Sequence, residues 1–237
     1  MTEGAGIRDK AARGGKVRLR AFALWVGAGA AAAWMLGALT LVAVRWIDPP
    51  TTAVQAERRM QAWMHGTPYH KRSEFVALSR ISLDLQHAAI AAEDARFYQH
   101  HGFDWHEMQI AADEDMEGGR RIRGGSTLTQ QLVKNLFFGT RRSIVRKVAE
   151  FTLVPVAELV LGKRRILELY LNVVEWGPGV YGAEAACRAH YGRSAQSVGR
   201  EEAARLAAIL PAPLKRRPER MNHYSELILE RMRQMGW

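Results

Sequence analysis

Four clusters in this chain pair residue types that can do chemistry. The segment Glu93-Asp94-Ala95-Arg96-Phe97-Tyr98-Gln99-His100-His101-Gly102 sets two carboxylates beside an aromatic ring and imidazoles. Glu93 follows the apolar stretch LDLQHAAIAA, so it is expected to emerge from a core at the edge of a cleft. Partial desolvation there raises the pKa of a carboxyl group and fits it for general acid or base work. If the helix continues, Phe97 falls one turn on and His100 two turns on, along roughly one face. The alternative is an acidic helix end with an aromatic core residue and a polar turn. A second cluster, Gly124-Gly125-Ser126-Thr127-Leu128-Thr129-Gln130-Gln131-Leu132-Val133-Lys134-Asn135, has glycines that permit close backbone approach ahead of Ser126, a natural N-cap. Free N–H groups at a helix start suit an anionic oxygen. Ser126, Gln130 and Lys134, four apart, form a polar stripe suited to a sugar-phosphate.

The third cluster is Arg141-Arg142-Ser143-Ile144-Val145-Arg146-Lys147-Val148-Ala149-Glu150. Arg146 and Lys147 stand one helical turn before Glu150, which makes an ordinary intrahelical ion pair. The same spacing also suits a cationic clamp for a pyrophosphate, with a carboxylate held among the cations. The fourth cluster runs from Lys163 to Asn172 and on through Trp176-Gly177-Pro178-Gly179-Val180-Tyr181-Gly182. It reads chiefly as a core helix followed by a turn-rich loop.

The elements that must position these residues are mainly helical. Helical patterns cover 53–64, Ser82 to His100, a helix begun by Ser126, Arg142 to Leu161 with Pro155 as an expected kink or break, Lys163 to Asn172, Ala183 to Tyr191 and Glu201 to Leu210. Strand signals are weak and short. Glycine-rich loops are expected at 118–125 and 177–182.

Composition adds an anchor and an anionic partner. Hydrophobic residues make up 48% of the 237, so the chain is globular and not disordered. The net charge of +10 points to an anionic partner. The single cysteine, Cys187, excludes an intramolecular disulfide and is expected to be packed among alanines. The acidic run Asp113, Glu114, Asp115 and Glu117 reads as a solvated loop. From Ala21 to Val44 the chain carries no charge. As a helix this run is about 36 Å long, enough to cross a bilayer core. It is longer than a cleaved signal's apolar segment. Arg8, Lys10, Arg13, Lys16, Arg18 and Arg20 precede it, which places the tail of residues 1–20 in the cytoplasm and the rest outside it. The expected organisation is tail 1–20, transmembrane helix 21–44, linker and first helix 45–75, and an extracytoplasmic domain 76–237.

Taken together, the clusters resemble the peptidoglycan glycosyltransferase family of penicillin-binding proteins and their monofunctional relatives. The pattern EDxxFxxHxG stands at 93–102, GGSTxTQQLxKN at 124–135, RKxxE at 146–150, KxxILExYLN at 163–172 and GxGxYG at 177–182. Order and spacing agree over roughly residues 80–215. The resemblance implies a lysozyme-like helical head and a smaller membrane-associated jaw lobe. It implies polymerisation of lipid II, with inversion at the anomeric carbon and release of undecaprenyl pyrophosphate. By the motif match Glu93 would be the general base and Glu150 the second essential carboxylate. Lys134, Arg142, Arg146 and Lys147 would neutralise the pyrophosphate, and Ser126, Gln130 and Gln131 would hold sugar and phosphate oxygens. Asp94, Phe97, His100, Gly125, Thr127 and Asn172 would support the cleft.

The chemistry agrees. An anomeric pyrophosphate stabilised by cations needs little protonation to leave, so one base suffices. Two carboxylates flanking a sugar would also suit a glycoside hydrolase, but hydrolysis of finished glycan releases no phosphate and needs no such cations. No cofactor or dedicated metal cluster is expected, although a divalent Mg or Mn ion assisting the pyrophosphate stays open. Expected partners are lipid II, the growing lipid-linked strand, the membrane and the cell-wall synthesis machinery, with no nucleic acid. The expected location is the bacterial inner membrane, single-pass, with the domain in the periplasm. Leu136, Phe137 and Phe138 are expected to dip into the outer leaflet. No Ser-x-x-Lys and no Lys-Thr-Gly occurs, so an accompanying transpeptidase is not expected.

Overall fold

A computed structural model describes residues 3–116, 125–141 and 143–237. The first helix, α1 (Glu3–Ala43), contains the apolar run Phe22–Ala43. Side chains along it, Leu24, Trp25 and Leu36 among them, are exposed, and the run is long and apolar enough to cross a membrane. The chain divides at Thr40 into two units, and the second begins at Leu41.

That second unit is built from α2 (Ala53–Met64), α3 (Leu83–Glu93), α4 (Trp105–Met116), α5 (Leu128–Phe137), α6 (Ile144–Val173), α7 (Ala183–Tyr191), α8 (Arg200–Ala207) and α9 (Asn222–Gln234). Three short strands, β1 (Arg72–Ser73), β2 (Glu175–Gly177) and β3 (Val180–Tyr181), form a sheet in the order β1-β3-β2. β1 runs parallel to β3, and β2 antiparallel. The expectation of a mainly helical chain with weak strands holds. Within the segment 45–75, α2 is the expected first helix, Arg72 and Ser73 pair in the sheet, and Arg58 donates to the buried Glu175 carboxylate.

Helices α5 and α6 pack together, and α3 packs on α8 and α9. Ile90, Leu128, Leu132, Ile166, Leu167, Tyr170 and Trp176 are fully buried among them. The alternation of apolar positions along α5 puts Leu128, Leu132 and Leu136 on the core side, at one residue per helical turn.

Several local expectations are corrected. The helix from Ser82 ends at Glu93, not at His100, because Asp94 leaves the helical region at φ −160° and its side chain bonds elsewhere. Phe97 and His100 therefore do not lie on a common helix face with Glu93. Thr127, not Ser126, caps α5: its hydroxyl accepts from the Gln130 N–H, while Gln130 Oε1 accepts from the Thr127 N–H. Pro155 stays within α6 and does not break it, while the expected boundary between Leu161 and Lys163 holds: Gly162 is non-helical, with a φ of 69° that favours glycine. Leu136 is buried, and Phe137 and Phe138 pack partly against the core, so these three do not form an exposed membrane-dipping patch. Helices α4 and α9 had no counterpart in the sequence-based assignment. Asp113 is exposed as expected, but Asp113, Glu114 and Asp115 belong to α4 and not to a loop. Residues 117–124, with Glu117 and most of the 118–125 loop, lie outside the described residues.

Asn172 joins the two faces of this core. Its Oδ1 accepts from the Val76 N–H at 2.9 Å, and its Nδ2 donates to the Val76 and Glu168 carbonyls at 2.9 and 2.8 Å. Asn172→Ala strands buried Val76 groups and is expected to lower unfolding stability by about 3 kcal/mol, measured by denaturant titration.

Candidate active site

Glu93 is the last residue of α3, and it is half-buried there. Its Oε2 accepts from Gln131 Nε2 at 2.7 Å. Burial is the largest influence on its carboxyl group and pushes its pKa above the ordinary carboxylate value. The Gln131 hydrogen bond and then the charges of Lys134 and Arg216 oppose that rise, while Asp94 adds to it.

Asp94, the next residue, ties the neighbourhood together. Its Oδ1 accepts from His100 Nε2 at 2.8 Å, and its Oδ2 accepts from the Leu128 N–H at 2.9 Å. His100 Nδ1 accepts from the Gly102 N–H at 3.2 Å. Both imidazole nitrogens are thus engaged, which fixes the tautomer. The Thr127 hydroxyl donates to the Gly102 carbonyl at 2.7 Å. A side chain at Gly102 would press on Val154, its Cβ falling 2.5 Å from the valine Cγ1. Phe97 is fully buried, with the Lys163 ammonium 4.5 Å above its ring centroid. Ser126 and Gly125 line a small cavity shared with Glu93, Asp94, Asp104 and Glu107.

The second carboxylate, Glu150, is buried on α6. Arg146 Nη1 holds its Oε1, and Lys147 Nζ lies 3.3 Å from its Oε2. Lys134 stands on α5, within the influence of both glutamates. Burial pulls its pKa down, Glu150 and Glu93 push it back up, and Arg146 and Lys147 add to the lowering. Arg142 lies outside the described residues.

Two residues expected to hold substrate also make contacts within the fold. Gln130 is buried and closes the cap of α5 through its Oε1. Gln131 is bonded at both ends of its amide: Nε2 to Glu93, and Oε1 to the Tyr170 hydroxyl at 3.3 Å. Three residues at the site escaped the sequence reading. Tyr170 belongs to the KxxILExYLN stretch, taken there as core. Arg216 donates to the Ala208 carbonyl at 2.8 Å and sits 5.0 Å over the Tyr224 ring, with its charge felt at Glu93. Glu57, on α2, reaches the turn between α5 and α6. Its Oε2 accepts from the Thr140 N–H at 2.5 Å and its Oε1 from the Thr140 hydroxyl at 2.8 Å. Gly139, at φ 69°, leaves room for that carboxylate, since a Cβ there would fall 2.4 Å from Glu57 Oε2. No motif marks Glu57, because its partners lie far along the chain.

A half-buried carboxylate with a raised pKa, one helix away from a buried carboxylate gripped by cations, can take a proton at one end and stabilise departing negative charge at the other. That is the site of a group-transfer enzyme working on an anionic leaving group. The transglycosylase family profile matches residues 58–233. A protein of Pseudomonas putida named biosynthetic peptidoglycan transglycosylase is 45% identical over 192 residues, 81% of each chain. Proteins of the same name from Pseudomonas aeruginosa and Dechloromonas aromatica are each 41% identical. They cover 93% of this chain and 91% of theirs, and 84% and 87%, respectively. The chain belongs to the transglycosylase family, with the mainly helical, lysozyme-like architecture that the motifs implied.

The Glu57 contacts give a prediction. Glu57→Ala frees the turn that leads into Arg141, Arg146 and Lys147. It is expected to raise KM for the glycan precursor about fivefold while kcat stays within about twofold. Steady-state kinetics on the full chain measure this.

Proposed function

We propose that this transglycosylase polymerises lipid II into peptidoglycan glycan strands, with Glu93 as the general base. The observation that carries the reading is the division of labour between the two glutamates. Glu93 has a raised pKa and, among the described residues, an amide and not a cation as its direct partner, whereas Glu150 is embraced by Arg146 and Lys147. Glu93 takes the proton from the 4-hydroxyl of the incoming lipid II GlcNAc. That oxygen forms its bond to the anomeric carbon of the growing strand as the bond to pyrophosphate breaks. Inversion from α to β follows from attack on the face opposite the leaving group. Lys134, Arg146 and Lys147, with Arg142 by motif, receive the charge of undecaprenyl pyrophosphate. Ser126 meets substrate oxygens beside Glu93, with Asp94, His100, Phe97, Gly125, Thr127 and Asn172 as the supporting frame.

A Mg or Mn ion bridging Glu150 to pyrophosphate fits the donor set poorly, because both Glu150 oxygens already face cationic side chains.

The apolar run of α1 anchors the enzyme in the inner membrane, with the basic tail in the cytoplasm and the catalytic domain in the periplasm. The membrane-facing surface of the domain is the outer stripe of α6. Ile144, Val148 and Leu159 are 85%, 60% and 86% exposed, and apolar side chains left so open suit lipid contact. Leu159 adjoins Val160, whose carbonyl accepts from Arg45 Nη1 at 2.7 Å, just beyond the end of α1.

Three measurements test this reading. Glu93→Gln is expected to lower kcat for lipid II polymerisation about a thousandfold. For the unaltered enzyme, activity should fall on acidification through a Glu93 pKa above the usual carboxylate range, because the base must be ionised. Robust polymer from the Gln variant removes Glu93 from this role. Replacing Ile144, Val148 and Leu159 together by Ser should raise KM for bilayer-embedded lipid II severalfold and leave turnover of a short-chain, water-soluble analogue unchanged. Equal effects on both substrates would dismiss the membrane-facing stripe.

A further inference from the structure

We propose that Tyr170 is a positioning residue for the catalytic base, fixing the Gln131 amide so that its N–H2 end faces Glu93. The inference rests on the reading of Glu93 as the base. Tyr170 sits on α6 with its ring fully buried. Its hydroxyl donates to Gln131 Oε1 at 3.3 Å, and Gln131 Nε2 donates to Glu93 Oε2 at 2.7 Å.

An amide has two unlike ends. With Oε1 held by a phenol proton, only donors remain for the carboxylate. The reverse orientation would set a carbonyl oxygen against a carboxylate oxygen, and each would lack a proton. Tyr170 is suited to this task because it remains a donor. Burial pushes its pKa well above the ordinary phenol value, and the nearby Glu93 and Asp94 carboxylates add to the rise. The hydroxyl is therefore protonated throughout the range in which the enzyme can work.

The fixed amide favours the ionised form of Glu93, since a donor aimed at a carboxylate stabilises its charge. It acts with Lys134 on α5 and Arg216 after α8, which favour the same form. Asp94 opposes them, and Asp104 and Glu107 line the same small cavity as Glu93. Gln131, the direct partner of Glu93, has its orientation set by a second buried side chain. Tyr170 thus reaches the proton-transfer step without touching substrate.

The test is a double-mutant cycle on the full-length enzyme in bilayers, read as the pH dependence of kcat and KM for lipid II. Tyr170→Phe keeps the ring and removes only the hydroxyl. It should lower kcat about three- to tenfold. It should also move the acid limb of the profile upward by about half to one pH unit, with KM unchanged. In a Gln131→Ala background the same substitution should change neither kcat nor the acid limb, because its effect passes through the amide. An acid limb that stays in place in Tyr170→Phe, with only thermal stability lowered, overturns the proposal and leaves the base assignment standing. An undiminished effect of Tyr170→Phe in Gln131→Ala does the same. Continued polymerisation by Glu93→Gln removes the base and this proposal with it.

Discussion

The carboxylate of Asp94 is the contact on which the catalytic arrangement depends. One oxygen receives the His100 imidazole and the other receives the first N–H of α5. The first bond holds the chain in a turn immediately after α3, so Glu93 stands at a helix end and not in its middle. The second sets where α5 begins, and a carboxylate at a helix N-terminus is also favoured by the helix dipole. Helix α5 carries Gln131 and Lys134 and packs along α6, which carries Glu150 and Tyr170. One buried charge, satisfied on both sides, therefore fixes the spacing of groups that come from three helices. Burying such a charge without partners would be costly, so the arrangement holds as a unit.

Around that frame the two glutamates meet different surroundings. Glu93 has an amide as its direct partner, with cations further away, and burial dominates its titration. Glu150 is enclosed by an arginine and a lysine from the preceding turn of its own helix. Two identical side chains thereby acquire unlike properties from their neighbours alone. Lys134 lies under the influence of both, so the charge state of one end of the site is felt at the other.

Much of this was legible in the sequence, for a physical reason. Arg146, Lys147 and Glu150 meet because helical geometry brings residues three and four apart together, so their contact could be read from spacing. The apolar rhythm of Leu128, Leu132 and Leu136 likewise gave α5 and its buried face. What could not be read were features decided by distant partners. Nothing local ends α3 at Glu93, since the residues that draw Asp94 out of the helix lie six and 34 positions away. The choice of Thr127 over Ser126 as cap depends on which hydroxyl reaches the Gln130 N–H. Leu136, Phe137 and Phe138 looked like a membrane patch because hydrophobicity alone does not distinguish a core from a lipid contact. Glu57 and Arg216 come from segments outside every motif, and only the fold brings them to the site. Helix α9 did carry a signal, with Ser225, Ile228 and Met232 facing inward at helical spacing, but the many charges between them masked it.

The grip of Arg146 and Lys147 on Glu150 has a consequence for turnover. Both cations are already paired with Glu150, so under the proposed function an arriving pyrophosphate would trade places with a resident counter-ion and would not meet bare positive charge. Such an exchange returns less free energy than a fresh ion pair. A leaving group held in this way is also readily let go, because the carboxylate stands beside the cations to reclaim them. A chain-building enzyme that polymerises lipid II must discard one lipid pyrophosphate for every disaccharide it adds. For it, a self-neutralised clamp of the kind proposed would keep the by-product from becoming an inhibitor.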